Sequence, residues 1–234
     1  MNYAIILSGG IGTRMNIEDF PKQYLEVDDK PILLYTVETT QCTPEIDKII
    51  IVVAEEWRER VISWMDEYHI TKFIDVANPG ETRQESILNG LEVCASYSKS
   101  DDDNVIIMDG VRALMSSQLI SNCVKQLDEH EGCMPVIPVN DTIYQSNDCK
   151  KIDNLLDRSV LWAGQNPEGY NLKRYLEINR DMPKEKLALI RGSSEIGFYY
   201  GMDIGLFPGE DTNFKITTPA DLSRFKTIIA LRKK

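Results

Sequence analysis

A glycine-rich stretch, Leu7-Ser8-Gly9-Gly10-Ile11-Gly12-Thr13-Arg14-Met15, follows directly on the apolar run Tyr3–Leu7. Glycines let backbone N–H groups approach an anion closely, and an arginine beside them supplies a fixed charge with a planar fork of donors. The residues therefore suit a phosphate, with a plain tight turn as the alternative. Two familiar phosphate loops are excluded. A dinucleotide fingerprint needs a third glycine where Met15 stands, and a P-loop needs Gly-Lys-Ser/Thr, which does not follow Gly10. Eight residues past Arg14 comes Pro21-Lys22-Gln23-Tyr24, which places a second cation near the first or leaves Lys22 in solvent. Asp109 ends the apolar run Val105–Met108. A carboxylate at the C-terminal end of a parallel strand lies where open α/β sheets bind ligands, and its alternative is a loop-start cap.

The elements that must position these groups alternate. Strand-like runs fall at Tyr3–Leu7, Lys48–Ala54, Lys72–Val76, Asn104–Met108 and Met134–Val139. Helical patterns lie between them at Ile32–Thr40, Glu55–Tyr68, Arg83–Ser96 and Ser117–His130. Near-continuous apolar strands separated by helices predict a parallel sheet covered on both faces. Thr82 and Glu85 form a capping box, and Thr218-Pro219-Ala220-Asp221 starts a final helix. The stretch 140–162 breaks the rhythm and reads as a protruding hairpin or an ordinary surface excursion. The expectation is one α/β sandwich domain over 1–234 with an embellishment after residue 139.

Composition narrows the partners. A formal charge of −11 on 234 residues argues against a broad nucleic-acid surface, so an anionic ligand needs a local cluster of Arg and Lys. Five scattered cysteines and two histidines, with no C-x-x-C pair, argue against zinc and against a disulfide framework. No apolar run approaches a membrane span and no signal peptide is visible, so a cytoplasmic protein is expected.

The combination G-x-G-T-R-M followed by P-K-Q-Y resembles the signature of the methylerythritol phosphate and ribitol phosphate cytidylyltransferases. The resemblance continues through PGETRQESILNG (79–90), MDGVRALMS (108–116), PVNDTIY (138–144), LDRSVLWAGQNPEGY (156–170) and NFKITTPADL (213–222). It implies a Rossmann-like nucleotidyltransferase fold, a three-layer α/β sandwich with a mostly parallel sheet and a protruding β-arm used in dimerisation. It also implies a reaction in which CTP and an alcohol phosphate give a CDP-alcohol and pyrophosphate, with Mg²⁺ as cofactor. Bringing two polyanions together is the physical problem, and cations solve it.

By this resemblance Arg14 and Lys22 grip the triphosphate and Lys215 contacts its α-phosphate. Without it, Asn213–Thr217 reads as a strand with an outward lysine. Leu7, Ser8, Gly9, Gly10, Gly12 and Thr13 form the nucleotide loop. Ser86 and the loop 78–83, with Gly80 and Arg83, match the part that reads cytosine, although Arg83 has a structural alternative. Asp109 holds the ribose or a Mg²⁺. Arg112 carries acceptor-side charge, and Thr142 and Arg158 bind the acceptor phosphate across a homodimer with shared sites. Leu7-Ser8-Gly9-Gly10 is closer to the Leu-Ala-Gly-Gly of the ribitol phosphate branch than to the Pro-Ala-Ala-Gly of the isoprenoid branch. That makes ribitol 5-phosphate or a relative the expected acceptor, with methylerythritol phosphate the alternative and a silent nucleotide-binding homologue a third. Departures cluster on the acceptor side. Gln165-Asn166-Pro167-Glu168 stands where the family often has Gln-Thr-Pro-Gln. Met108 and Ala113 flank Asp109–Arg112 in place of His and Pro, and Gly192-Ser193-Ser194-Glu195 replaces a Thr-Asp-(Asp/Glu)-Ala-like stretch.

Overall fold

A computed structural model describes residues 1–10 and 20–232. The expected roles of Gly12, Thr13 and Arg14 fall outside these described residues. The strands of the central sheet are β1 (Asn2–Leu7), β2 (Lys48–Val52), β3 (Phe73–Ala77), β4 (Asn104–Asp109), β5 (Gly132–Pro138), β6 (Trp162–Gly164), β7 (Glu168–Asn171) and β8 (Ile204–Pro208). Their order is β6-β5-β7-β4-β1-β2-β3, with β8 also pairing β5. The pairs β1–β2, β1–β4, β2–β3 and β5–β8 are parallel.

Alternation along each strand explains the layers. Ala4, Ile6, Ile49 and Ile51 belong to one buried cluster, while Tyr3, Ile5, Ile50 and Val52 belong to the other. Successive side chains point to opposite faces, so strands apolar at every position need a helical layer on both sides. Helices α1 (Ile32–Gln41), α2 (Arg58–Glu67) and α4 (Ser117–Gln126) contribute to the first cluster. Helices α3 (Arg83–Tyr97), α5 (Leu172–Asp181) and α7 (Ser193–Tyr199) contribute to the second, as does Leu187 from the single turn α6 (Lys184–Leu187). A smaller cluster seats α8 (Pro219–Arg232) through Phe225 and Ile229 against Ile32, Val111 and Ile216.

Two features differ from the periodicity-based expectation. The segment 55–68 begins as a 3₁₀ turn, Glu55–Trp57, before α2. More consequentially, β6 and β7 run antiparallel beside β5, and β7 wedges between β5 and β4. Gly164 pairs with Val136 but Gly169 pairs with Cys133, so the ribbon advances five residues on one side for three on the other. The bulge that absorbs the difference is Gln165–Glu168. A four-residue strand containing a glycine, next to a proline, carries almost no periodic signal.

The excursion after residue 139 is a hairpin. Tyr144–Gln145 pairs antiparallel with Asn154–Leu155, a turn follows at Arg158–Val160, and the chain re-enters the sheet as β6. Helix starts match their caps. Thr82 and Glu85 bond reciprocally, and the Asp221 carboxylate accepts from the Thr217 and Thr218 amides. No helix among the described residues is long and apolar enough to cross a membrane.

Candidate active site

The carboxyl ends of three neighbouring parallel strands come level, with Leu7 paired to Val52 on one side and to Asp109 on the other. From β1 the chain builds β2 and β3 to one side and then crosses to β4 on the other, so β1 is a topological switch point. A cleft of about 640 Å³ opens there.

Its floor is the start of the glycine stretch. The Ser8 amide donates to Val52 O at 2.8 Å and continues the β1–β2 ladder. The Gln23 amide group donates to Ser8 O at 2.6 Å and Gly10 O at 2.9 Å. The Tyr24 hydroxyl donates to Ser8 O at 3.0 Å. These bonds occupy carbonyl oxygens that would otherwise repel an anion. They also explain why Gln23 and Tyr24 are buried on a short turn, Lys22–Tyr24, next to the loop. Tyr24 is fixed in turn by stacking on Trp57 at 4.3 Å. Lys22 lies in the cleft wall and is only 8% exposed, so it does not point into solvent.

The second wall is the loop before α3. Gly80 is needed for close approach, because a Cβ there would lie 2.2 Å from Glu85 Cβ and 2.9 Å from the Glu85 carbonyl carbon. Gly9 is likewise packed on Pro79, with 2.6 Å left for a Cβ. Ser86 Oγ accepts from the Gly80 amide at 3.0 Å and donates to Thr82 O at 2.9 Å. Its hydroxyl proton therefore holds the loop in shape, which leaves an oxygen lone pair rather than a donor for a ligand.

At the centre stands Asp109, 6% exposed. Lys215 Nζ lies 2.9 Å from Oδ2, Arg112 Nε 3.6 Å from Oδ2 and Arg83 Nε 3.4 Å from Oδ1. Burial alone would raise its pKa, but Arg83, Lys215 and Arg112 together hold the carboxyl well below the usual carboxylate range. For Arg83, burial works against the charge, and Asp109 and Glu168 overcome it, so its pKa rises further. Residues 213–217 form an extended loop rather than a strand. One backbone bond, Ile216 N to Val111 O at 3.0 Å, fixes it beside β4 and sends Lys215 into the cleft.

Leu7, Ser8, Gly9, Gly10, Lys22, Gly80, Arg83, Ser86, Asp109 and Lys215 thus line one cleft. Arg112 does not line this cleft. It braces Asp109 from behind and donates through Nη1 to Asn213 O at 2.5 Å, outside the cleft wall. Thr142 and Arg158 lie on the exposed arm, where Arg158 Nη1 bonds Asn140 O at 2.6 Å, and within one chain they do not join the cleft. In the sequence Asn166 and Glu168 stand out only as departures from the family pattern. Asn166 Oδ1 accepts from the Asp109 amide at 3.1 Å, and Glu168 lies 3.6 Å from Arg83 Nη2. No spacing rule links residues so far apart in sequence.

The residues present do not fit a divalent cation held by the protein at Asp109. It is one carboxylate facing three cations, and no cluster of three or more His, Cys, Asp or Glu with metal-binding arrangement occurs among the described residues. The cleft instead gathers Lys22, Arg83 and Lys215 on a chain whose overall charge is negative, an arrangement suited to an anion.

Residues 2–231 match the family model described as IspD, 2-C-methyl-D-erythritol 4-phosphate cytidylyltransferase. The chain is 33% identical over 233 residues to a ribitol-5-phosphate cytidylyltransferase of Streptococcus agalactiae serotype III, covering 100% of this chain and 97% of that protein. It is 32% identical to the protein of the same name from Vibrio parahaemolyticus, covering 98% and 96%. Among solved structures it resembles 4-diphosphocytidyl-2C-methyl-D-erythritol synthase of Anaerococcus prevotii, with a TM-score of 0.81, 21% identity and coverage of 98% and 96%. The Francisella tularensis 2-C-methyl-D-erythritol 4-phosphate cytidylyltransferase gives a TM-score of 0.80 at 25% identity, covering 97% and 98%. The chain belongs to the 2-C-methyl-D-erythritol 4-phosphate cytidylyltransferase family and is a nucleotidyltransferase.

Proposed function

We propose that this enzyme transfers CMP from CTP to ribitol 5-phosphate, releasing pyrophosphate, and that it works as a cytoplasmic homodimer. The observation that carries the transfer chemistry is the placement of Lys215, Arg83 and Asp109 in one cleft with the glycine loop and Lys22. An oxygen of the acceptor phosphate attacks the α-phosphorus of CTP, a new P–O bond forms, and the bond to the bridging oxygen of pyrophosphate breaks. The acceptor phosphate is already ionised at neutral pH, so no strong base is required. Lys22 and Lys215 neutralise charge that builds on the phosphoryl oxygens, and Arg14 joins them by family resemblance. Asp109 keeps Lys215 and Arg83 in place before substrate arrives, so little reorganisation is left for the transition state. Mg²⁺ carried by the triphosphate would neutralise part of its charge, and Lys22, Arg83 and Lys215 would meet the rest.

The acceptor assignment is supported by full-length relatives named ribitol-5-phosphate cytidylyltransferase and by Leu7-Ser8-Gly9-Gly10. Methylerythritol phosphate is the second reading, favoured by the description of the family model. The dimer reading rests on the arm. Tyr144, Ile152, Leu155, Val160 and Trp162 are all more than half exposed, an apolar surface that a second copy would cover. It would also bring Thr142 and Arg158 to a neighbouring cleft. Calorimetry with CTP, followed by pyrophosphate release against a panel of alcohol phosphates, tests the assignment. Activity with ribitol 5-phosphate supports it, and activity with methylerythritol phosphate alone refutes it.

A further inference from the structure

Two of the stretches where the chain departs from the family pattern, 165–168 and 192–195, meet at one guanidinium. Arg83 Nη1 donates to Ser193 Oγ at 2.7 Å, Nη2 lies 3.6 Å from Glu168 Oε1 and Nε faces Asp109. Ser193 Oγ donates in turn to Glu168 Oε1 at 2.9 Å. Glu168 is 4% exposed and Ser193 fully buried.

A buried carboxylate is costly unless its surroundings supply donors. Here, among the described residues, each hydrogen-bond and ion-pair partner of Glu168 is one. Asn166 Nδ2 donates to Oε1 at 2.8 Å and the Tyr170 hydroxyl to Oε2 at 3.0 Å, beside Ser193 and Arg83. A glutamine could keep an acceptor at Oε1 but would remove the charge beside Arg83 and set an NH₂ group against the Tyr170 hydroxyl, so the pocket suits a carboxylate better than its amide. The scaffold behind it is stiff. Tyr170 stacks on Tyr175 at 3.9 Å, and Tyr175 donates to Ser193 O at 2.8 Å.

We propose that Glu168, acting with Ser193, is a positioning residue that clamps Arg83 in the cleft wall and so sets the affinity of the site for the nucleotide. The proposal rests on the cytidylyl-transfer reading above. Glu168 does not line the cleft; it faces the guanidinium at Nη2 while Ser193 accepts from Nη1, and the two together leave the remaining N–H donors aimed by geometry rather than by chance. The negative charge sits at 168, but the 2.7 Å contact of Ser193 with Nη1 places a carboxylate at 193 within reach of the same guanidinium.

The test is Glu168→Gln, Glu168→Asp and the double variant Glu168→Gln/Ser193→Asp, each assayed for CTP affinity by calorimetry and for KM of both substrates. Glu168→Gln is expected to weaken CTP about tenfold, the scale of losing the charge that faces the guanidinium in a largely buried ion pair, with the acceptor KM unchanged. Glu168→Asp should fall between, and the double variant should return to within about threefold of native, which loss of packing alone would not allow. CTP affinity within twofold of native in Glu168→Gln overturns the proposal. If that variant does not fold, Ser193→Ala is measured, with an expected loss of about threefold, and an unchanged affinity overturns the proposal equally. Failure of the functional reading looks different, because the native protein itself would then bind no CTP. In that case the Arg83 guanidinium resonances decide the clamp, with restricted rotation in the native protein and free rotation in Ser193→Ala expected, and free rotation in the native protein overturning it.

Discussion

Replacing Asp109 with asparagine keeps the shape of the side chain and removes the charge that gathers Lys215, Arg83 and Arg112. Losing one partner of a buried ion pair costs about 3–5 kcal/mol when the charge left behind stays dry. Here Arg83 and Lys215 are 29% and 33% exposed, so water recovers part of that cost, and about 2 kcal/mol is expected. In a chain of this size that lowers Tm by roughly 4–8 °C. The pH dependence carries a sign. The folded pKa of Asp109 lies below its ordinary value of 3.8, so its contribution is complete above that value and is lost as pH falls through the folded one. The gap in stability between native and variant should therefore be constant from pH 7 to about 5 and narrow below about 4. Turnover should fall roughly 10²-fold, because Lys215 and Arg83 lose the charge that holds them ready. Thermal unfolding across pH and a pyrophosphate-release assay measure both effects. A variant with native turnover and an unshifted Tm would refute the idea that Asp109 organises the cations.

Three further outcomes are expected. Lys215→Ala and Lys22→Ala should each reduce turnover about 10²–10³-fold in steady-state assays, with Lys215→Ala lowering Tm less than Asp109→Asn because Arg83 and Arg112 still face the carboxylate. Gly80→Ala places a Cβ against Glu85, so the loop must shift, and calorimetry should show CTP binding weakened by about tenfold or more. Arg158→Ala should raise the acceptor KM more than the CTP KM, and mixing it with Lys22→Ala chains should recover activity if clefts are completed across a dimer.

The legible part of this molecule is the part with periodic chemistry. The apolar runs that became β1, β2 and β4 announce a sheet buried on both faces, and Asp109 at the end of one of them announces the cleft edge. The capping pair Thr82–Glu85 fixes the start of α3 within a residue. What the pattern does not carry is the antiparallel wedge β7, because Glu-Gly-Tyr-Asn is short and its burial comes from neighbours on either side. Lys215 reads as an outward strand residue until the loop 213–217 is seen tied to Val111. Glu168 and Ser193 are invisible for the same reason, since their role exists only once two segments 25 residues apart converge on Arg83. Lys22 reads as a surface lysine because nothing local predicts that Gln23 and Tyr24 turn inward to brace the glycine loop.

The most direct test offers the enzyme a choice. CTP and Mg²⁺ are supplied with equal amounts of ribitol 5-phosphate and 2-C-methyl-D-erythritol 4-phosphate in one vessel, and the products are weighed by mass spectrometry at low conversion. The ratio of products is then the ratio of kcat/KM values. CDP-ribitol in large excess is the predicted result; a mixture dominated by the methylerythritol product, or no CDP-alcohol at all, would contradict the assignment.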